Sequence, residues 1–305
     1  MENFLVSPSV QQALTLQAPL VALETAVVTH GLPFPTNVEL ACAMEQEVRD
    51  QGATPATIGV FRGTVHVGVS VEVLENLARE ARVRKISARD FGIALARGES
   101  GGTTVAGTLM VARKLGIRVF ATGGIGGVHR LAPFDISADL IELGRSPLVV
   151  VCADAKAILD LPATREVLET QGVPVLGYKT DDFPAFYSRE SGLNVDVRVD
   201  TPEEVVKIAR AHWEMGNSSA VLVVAPPPAE SALPRAQVEI WIEQAVQECE
   251  QRGIRGADVT PFLLARMTEL SGGTSLQANL ALLRQNARIG AQIARALASF
   301  HKRII

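Results

Sequence analysis

Residues 121–156 read ATGGIGGVHRLAPFDISADLIELGRSPLVVVCADAK, and the fold class turns on this stretch. An aliphatic run, Ile117 to Ala121, leads into glycines at 123, 124, 126 and 127. A second run, Leu148 to Cys152, ends four residues before Lys156. Short aliphatic runs separated by loops and longer periodic segments are the pattern of strands buried on both faces. The same alternation continues outward in both directions. Pro19 to Glu24, Val173 to Tyr178 and Ala220 to Val224 read as strands, and Thr57 to Phe61 with Thr64 to Val69 as a hairpin around Arg62-Gly63. Lys85 to Ser87 starts a short strand.

Helices are expected where capping signals precede 3.6-residue periodicity. Ser7 caps a helix starting at Pro8, Thr36 caps Asn37 to Gln51, and Ser70 caps Val71 to Glu80. Val105 to Leu115 stops at Gly116, and Glu203 to Met215 and Gln237 to Gln251 follow later. Thr260-Pro261 starts a helix to Leu270, and Thr274 or Ser275 restarts a long one carrying Asn279. Ser100 to Thr104 reads as a loop, Ala157 to Leu161 as a short helix, and Asp181 to Gly192 as an irregular loop bearing Phe183, Phe186 and Tyr187. Strand and helix in alternation give an α/β class, with one domain over residues 1–305.

Composition narrows the function. Of 305 residues, 47% are hydrophobic but only 5% aromatic, so the core is aliphatic. The net charge of −4 is spread along the chain, which argues against a nucleic-acid surface but not against a small phosphorylated ligand. Cys42, Cys152 and Cys249 form no CxxC pair, so a disulfide framework or thiolate zinc site is not expected. No apolar run approaches about 18 residues, and MENFLVSPSVQQAL has no basic-then-apolar leader. A cytoplasmic protein without a membrane partner is the expectation.

Several residues carry possible chemistry. GGIGG lacks the acidic residue that closes a dinucleotide fingerprint, yet such a loop can turn backbone N–H groups toward phosphate, or be a tight turn only. Glu24 ends an apolar strand, where burial would raise its pKa, unless it faces solvent. Lys156 lies past the carboxyl end of a strand among alanines, where active sites of open α/β sheets occur and a desolvated amine becomes nucleophilic. The alternative is a surface lysine at a helix start. Asp135 and Asp139, spaced i and i+4, would share a helix face suited to a divalent cation, or supply an N-cap and a solvated carboxylate. Lys85 and Arg89 beside Asp90 read most simply as a surface ion-pair cluster, His30 and His129 as structural, and Asn279 says nothing alone.

Taken together, VALETAVVTHGLPFPTN (21–37), KISARD (85–90), GGTTVAGT (101–108), ATGGIGGVHR (121–130), FDISADL (134–140), AKAILDL (155–161), TPFLLARMTELSGG (260–273) and SLQANLALL (275–283) resemble the pseudouridine-5′-phosphate glycosidase family, which includes proteins named for indigoidine biosynthesis. The resemblance implies reversible cleavage of pseudouridine 5′-phosphate to uracil and ribose 5-phosphate. It also implies a three-layer α/β/α fold with a largely parallel or mixed sheet, a manganese-type ion and a homotrimer. By motif it makes Glu24 the proton donor and Lys156 the nucleophile. Lys85, Val105, Ser137, Ala138, Asp139 and Asn279 would meet substrate, and Asp135 would hold the metal.

The chain departs from the family pattern at two places. Asp154, in CADAK, stands where a glycine or small residue is expected, and Pro226-Pro227-Pro228 replaces Asn-Pro-x-Pro. A carboxylate at 154 would raise the lysine pKa if it pointed inward. The carbon–carbon bond of pseudouridine explains the lysine: no leaving heteroatom exists to protonate, so an imine must draw the electrons. Another Schiff-base sugar-phosphate lyase or aldolase, or a decayed sugar-phosphate binding protein, would share parts of this set.

Overall fold

A computed structural model of the chain describes residues 3–80, 83–130, 132–256 and 259–301. Its centre is an eleven-stranded sheet. Seven strands run parallel in the order Thr54–Phe61, Leu20–Leu23, Val119–Ala121, Val149–Cys152, Val221–Val224, Val175–Tyr178 and Val197–Val199. Thr64–Val67 returns antiparallel beside Thr54–Phe61, as the hairpin pattern predicts. Phe4–Val6 closes that edge.

Alternation along each strand supplies both faces with a core. Leu20, Ala22, Phe120, Val150, Leu222 and Val224 face one apolar layer. Val21, Leu23, Val119, Val149, Val151 and Val223 face the other. Helices Pro8–Thr15 and Val105–Leu115 cover the first face. Helices Thr36–Asp50, Pro202–Glu214 and the long Thr274–His301 cover the second. Each buried Val, Leu or Ile removed from water contributes about 1.5–3 kcal/mol, so a sheet apolar on both faces can only be an inner layer. This is the three-layer α/β/α architecture expected. Among the described residues no helix is long and apolar enough to cross a membrane.

Five local expectations need correction. Thr36 does not cap its helix: Pro35 already has helical φ and ψ, so Thr36 lies inside the first turn. Thr260 and Pro261 likewise fall within the helix Val259–Leu270. Gly101–Thr103 is a strand, pairing with Arg84–Ile86 and Thr54–Phe61. Its glycines admit close neighbours: a Cβ on Gly102 would lie 2.2 Å from Thr29 Oγ1. Residues 157–160 are not helical; Leu159–Asp160 pairs with Val128–His129, and Asp160 caps the helix Leu161–Thr170. The expected loop 181–192 is the hairpin Asp182–Ala185 and Ser188–Asn194, with Phe183, Phe186 and Tyr187 buried.

Candidate active site

Three neighbouring parallel strands end at one edge of the sheet, and each delivers a polar side chain there. Leu20–Leu23 is followed by Glu24, Val119–Ala121 by Thr122, and Val149–Cys152 by the turn to Lys156. The last two segments are laced together by backbone hydrogen bonds. Thr122 N–H donates to Val151 O (2.9 Å), Ala153 to Gly123 (2.9 Å), Ile125 to Asp154 (3.0 Å) and Lys156 to Ile125 (3.1 Å). This lacing needs glycine at 124, where a Cβ would lie 2.7 Å from the Asp154 carbonyl and 2.6 Å from the Phe186 ring.

Beside Leu23 the neighbour of Thr54–Phe61 changes from Leu20–Leu23 to Gly101–Thr103. Thr25 fastens this seam: its buried hydroxyl donates to Ile58 O (2.7 Å) and accepts from Thr103 N–H (3.0 Å). Lys85 pairs in register with Gly102, and so reaches the same seam from the next strand. A crevice past the carboxyl ends of strands, at a change of partner, is where open α/β sheets bind ligands.

The crevice holds a cavity of about 60 Å³ lined by Glu24, Lys85, Thr122, Lys156, Phe186 and Asn279, among others. A second space of about 480 Å³ shares His30, Gly31, Pro261, Leu264 and Asn279 with it. Glu24 is partly buried, and burial pushes its carboxyl above the ordinary glutamate range. The Lys156 ammonium, the hydroxyl hydrogen bond from Thr122 to Oε1 and the Lys85 ammonium pull it back down, while the Asp139 charge adds to the rise. The carboxyl thus retains a proton more readily than a surface glutamate, with two cations at hand.

Asp139 organises a second part of the site. Its Oδ1 accepts from Ala106 N–H and its Oδ2 from Gly126 N–H, both at 2.8 Å. It thereby ties the start of helix Val105–Leu115 to the glycine run. Gly126 must lack a side chain, because a Cβ would lie 2.2 Å from Ser137 Oγ and 2.8 Å from Asp139 Oδ2. Ser137 accepts from Asp139 N–H (3.2 Å) and caps the helix Ala138–Leu143. Helix N-termini and glycine backbone gathered around one carboxylate are an anion-binding architecture.

The sequence-derived residues therefore divide into two groups. Glu24, Lys85, Lys156 and Asn279 line the first cavity. Val105, Ser137, Ala138 and Asp139 stand at the adjoining helix starts. Asp135 and Asp139 do not share a helix face: Asp135 is on the strand Ala132–Ile136, and Ser137 begins the helix after it. Lys85, read as part of a surface ion cluster, lines the cavity, and Arg84 pairs with Glu99 and Asp90. His30, read as structural, lines both spaces. Thr122 was not foreseen, since its partner lies 98 positions away in the chain. Nor was Arg130, which grips Glu239 through two hydrogen bonds (2.8 and 3.1 Å) and donates to the carbonyls of Ala157 and Leu159.

Asp154, the first departure, has its side chain fully buried and a φ of +99°, and among the described residues neither carboxylate oxygen has a hydrogen-bond partner. Burial holds its pKa well above the ordinary range; the nearby Ala155 N–H and the Arg165 charge oppose this. It is not among the residues that line the cavity. At the other departure, the carbonyl of Pro226 accepts from Gln285 (2.8 Å) and that of Pro227 from Arg189 (2.7 Å), so the triple proline is pinned without an asparagine.

The model of the indigoidine synthase A-like protein family matches residues 9–296. The pseudouridine-5′-phosphate glycosidase of Herpetosiphon aurantiacus is 52% identical over 299 residues, covering 97% of this chain and 99% of its own. The protein of the same name from Caldanaerobacter subterraneus is 49% identical over 299 residues, 97% of either chain. Among solved structures, the prealnumycin C-glycosynthase AlnA in complex with ribulose 5-phosphate superposes with a TM-score of 0.91 at 40% identity over 99% of both chains. An indigoidine synthase A-like protein from Thermotoga maritima gives 0.87 at 39% identity, over 92% of this chain and 93% of its own.

Proposed function

The chain belongs to the indigoidine synthase A-like family, and from that premise we propose that it is a C-glycosidase reversibly cleaving pseudouridine 5′-phosphate to uracil and ribose 5-phosphate. The observation that carries this reading is the meeting in one cavity of Lys156 and Glu24, whose carboxyl burial raises above its ordinary range. Full-length relatives of that name support it.

Glu24 gives its proton to the ribose ring oxygen as the C1′–O4′ bond breaks, with electrons supplied by the uracil ring. The Lys156 amine adds to C1′ and loses a proton. The uracil carbon takes up a proton, and the C1′–C bond breaks as the nitrogen lone pair forms the imine. Water then releases ribose 5-phosphate and restores the amine. Asn279 offers an amide edge complementary to uracil. Lys85, Ser137, Ala138, Asp139 and the backbone at Val105 hold the sugar phosphate in this reading.

Asp135 would hold the manganese-type ion. Its half-exposed carboxylate stands 4.0 Å from His129 Nε2, and among the described residues no three His, Cys, Asp or Glu side chains gather. Asp139 has both oxygens committed to backbone N–H groups. Such a donor set fits a cation that keeps most of its waters. When bound, the ion supplies positive charge near the phosphate, and no proton or bond transfer above passes through it.

The reading includes a homotrimer, whose contacts would cover the exposed Phe134, Ile136 and Ile141. It also includes a reducing cytoplasmic setting, in keeping with three free cysteines. The test is borohydride trapping with ribose 5-phosphate, read by mass spectrometry. Wild type forms a covalent adduct and Lys156→Ala does not; an adduct persisting in the variant sinks the lysine assignment. A second reading, C-glycoside formation on a larger aglycone, is favoured by the second space of about 480 Å³. Faster coupling of ribose 5-phosphate to an extended aromatic acceptor than to uracil would select it.

A further inference from the structure

Burial raises the Glu24 carboxyl above the ordinary glutamate range, yet an acid must also present its proton on a defined oxygen. Its Oε1 accepts a hydrogen bond from the hydroxyl of Thr122, a residue with no exposed surface. That leaves Oε2 to carry the transferable proton.

Thr122 is itself held on three sides. Its N–H donates to Val151 O at 2.9 Å, within the strand that leads to Lys156. Its carbonyl accepts from the Asn286 side-chain amide at 2.9 Å. Asn286 comes from the long C-terminal helix, is fully buried, and among the described residues its Oδ1 has no partner. An amide kept at that cost in the core has one satisfied bond, and that bond fixes the Thr122 backbone.

From this geometry we infer that Thr122, anchored by Asn286, is a positioning residue for the proton donor. It selects the oxygen of Glu24 that holds the proton, and it stabilises the carboxylate left after transfer. Because its backbone is also bonded to the strand leading to Lys156, it fixes acid and amine in one frame. The assignment rests on the glycosidase reading for its catalytic meaning, but the hydrogen bond has a readout of its own.

The test compares Thr122→Val, which keeps the shape and removes the hydroxyl, with Thr122→Ser, which keeps the hydroxyl. The Glu24 carboxyl is titrated by carbon-13 NMR in glutamate-labelled protein, its resonance assigned with Glu24→Gln. In parallel, pH profiles of kcat and KM for pseudouridine 5′-phosphate are measured. Thr122→Val is expected to move the Glu24 midpoint and the alkaline limb of kcat/KM to higher pH. It should lower kcat about tenfold, the worth of one hydrogen bond to a charged group, with KM unchanged. Thr122→Ser should restore wild-type behaviour.

An unmoved midpoint in a folded Thr122→Val protein overturns the inference. So does an equal loss of kcat in Thr122→Val and Thr122→Ser without movement of the limb, which marks a packing role. Wild type that does not turn over, with a midpoint that still moves, removes the proposed reaction and leaves the hydroxyl's control of Glu24 standing.

Discussion

Glu24 and Asp154 are two carboxyl groups covered by the same protein, each pushed above its ordinary range chiefly by burial. Their surroundings differ. Glu24 opens onto a cavity, accepts a hydroxyl hydrogen bond and has Lys156 and Lys85 near it. Asp154 has two unpartnered oxygens, a left-handed backbone and Arg165 as the cation acting on it. Desolvation alone therefore does not identify an acid catalyst; access to a ligand and a partner for the ionised form do. Without those, a buried acid is a stability defect.

Four measurements break or sharpen this contrast. Glu24→Gln keeps the shape and removes the proton, so kcat should fall by about 10³-fold. Asp154→Asn should stay within about twofold of wild type under the same uracil-release assay. Equal losses would erase the distinction. Next, Gly126→Ala drives a Cβ against Ser137 Oγ and Asp139 Oδ2. Displacing that carboxylate from two backbone N–H groups should raise KM about tenfold, with a smaller change in kcat.

The third measurement is thermodynamic. Asp154→Gly relieves the φ of +99° and two orphaned oxygens. Against the entropy a glycine adds to the unfolded chain, a net gain of about 2 kcal/mol is expected, visible as a higher urea midpoint. An unchanged midpoint would mean that Asp154 has a partner in solution. The smallest effect is the pH slope. A native state that keeps a proton the unfolded chain has released loses stability as pH climbs. The contribution of Asp154 is therefore whole below about pH 4 and declines as pH rises toward its folded value. Asp154→Asn should flatten that decline in urea titrations run from pH 4 to 8.

How much of this was legible beforehand depends on how local the signal was. The parallel strands were visible because aliphatic runs such as Val149–Cys152 have few alternatives. Glu24 and Lys156 were visible because each breaks such a run at its carboxyl end. The strand Gly101–Thr103 was hidden by its glycines, whose value lies in neighbours from residues 25, 29 and 84. Residues 157–161 read as helical, but Leu159–Asp160 pairs with Val128–His129, and the cap at Asp160 delays the helix to Leu161. Thr122 and Asn286 carry no local signature, since their partners are 98 and 164 positions distant. The resemblance proposes which groups meet substrate; the hydrogen bonds around them required coordinates.

The acid, the hydroxyl and the amine each follow a different strand of three consecutive neighbours in the sheet. Two strand spacings, about 10 Å, separate the outer pair, so both side chains must lean across the end of the middle strand. Until Val119–Ala121 is zipped between its neighbours, residue 156 is one more amine on a loose chain, with no acid opposite it. In the proposed reaction this amine seeks an aldehyde, and such a group is a hazard in a cell full of free sugars. Building the pair from segments more than a hundred residues apart withholds its joint reactivity from nascent chains and confines it to finished molecules.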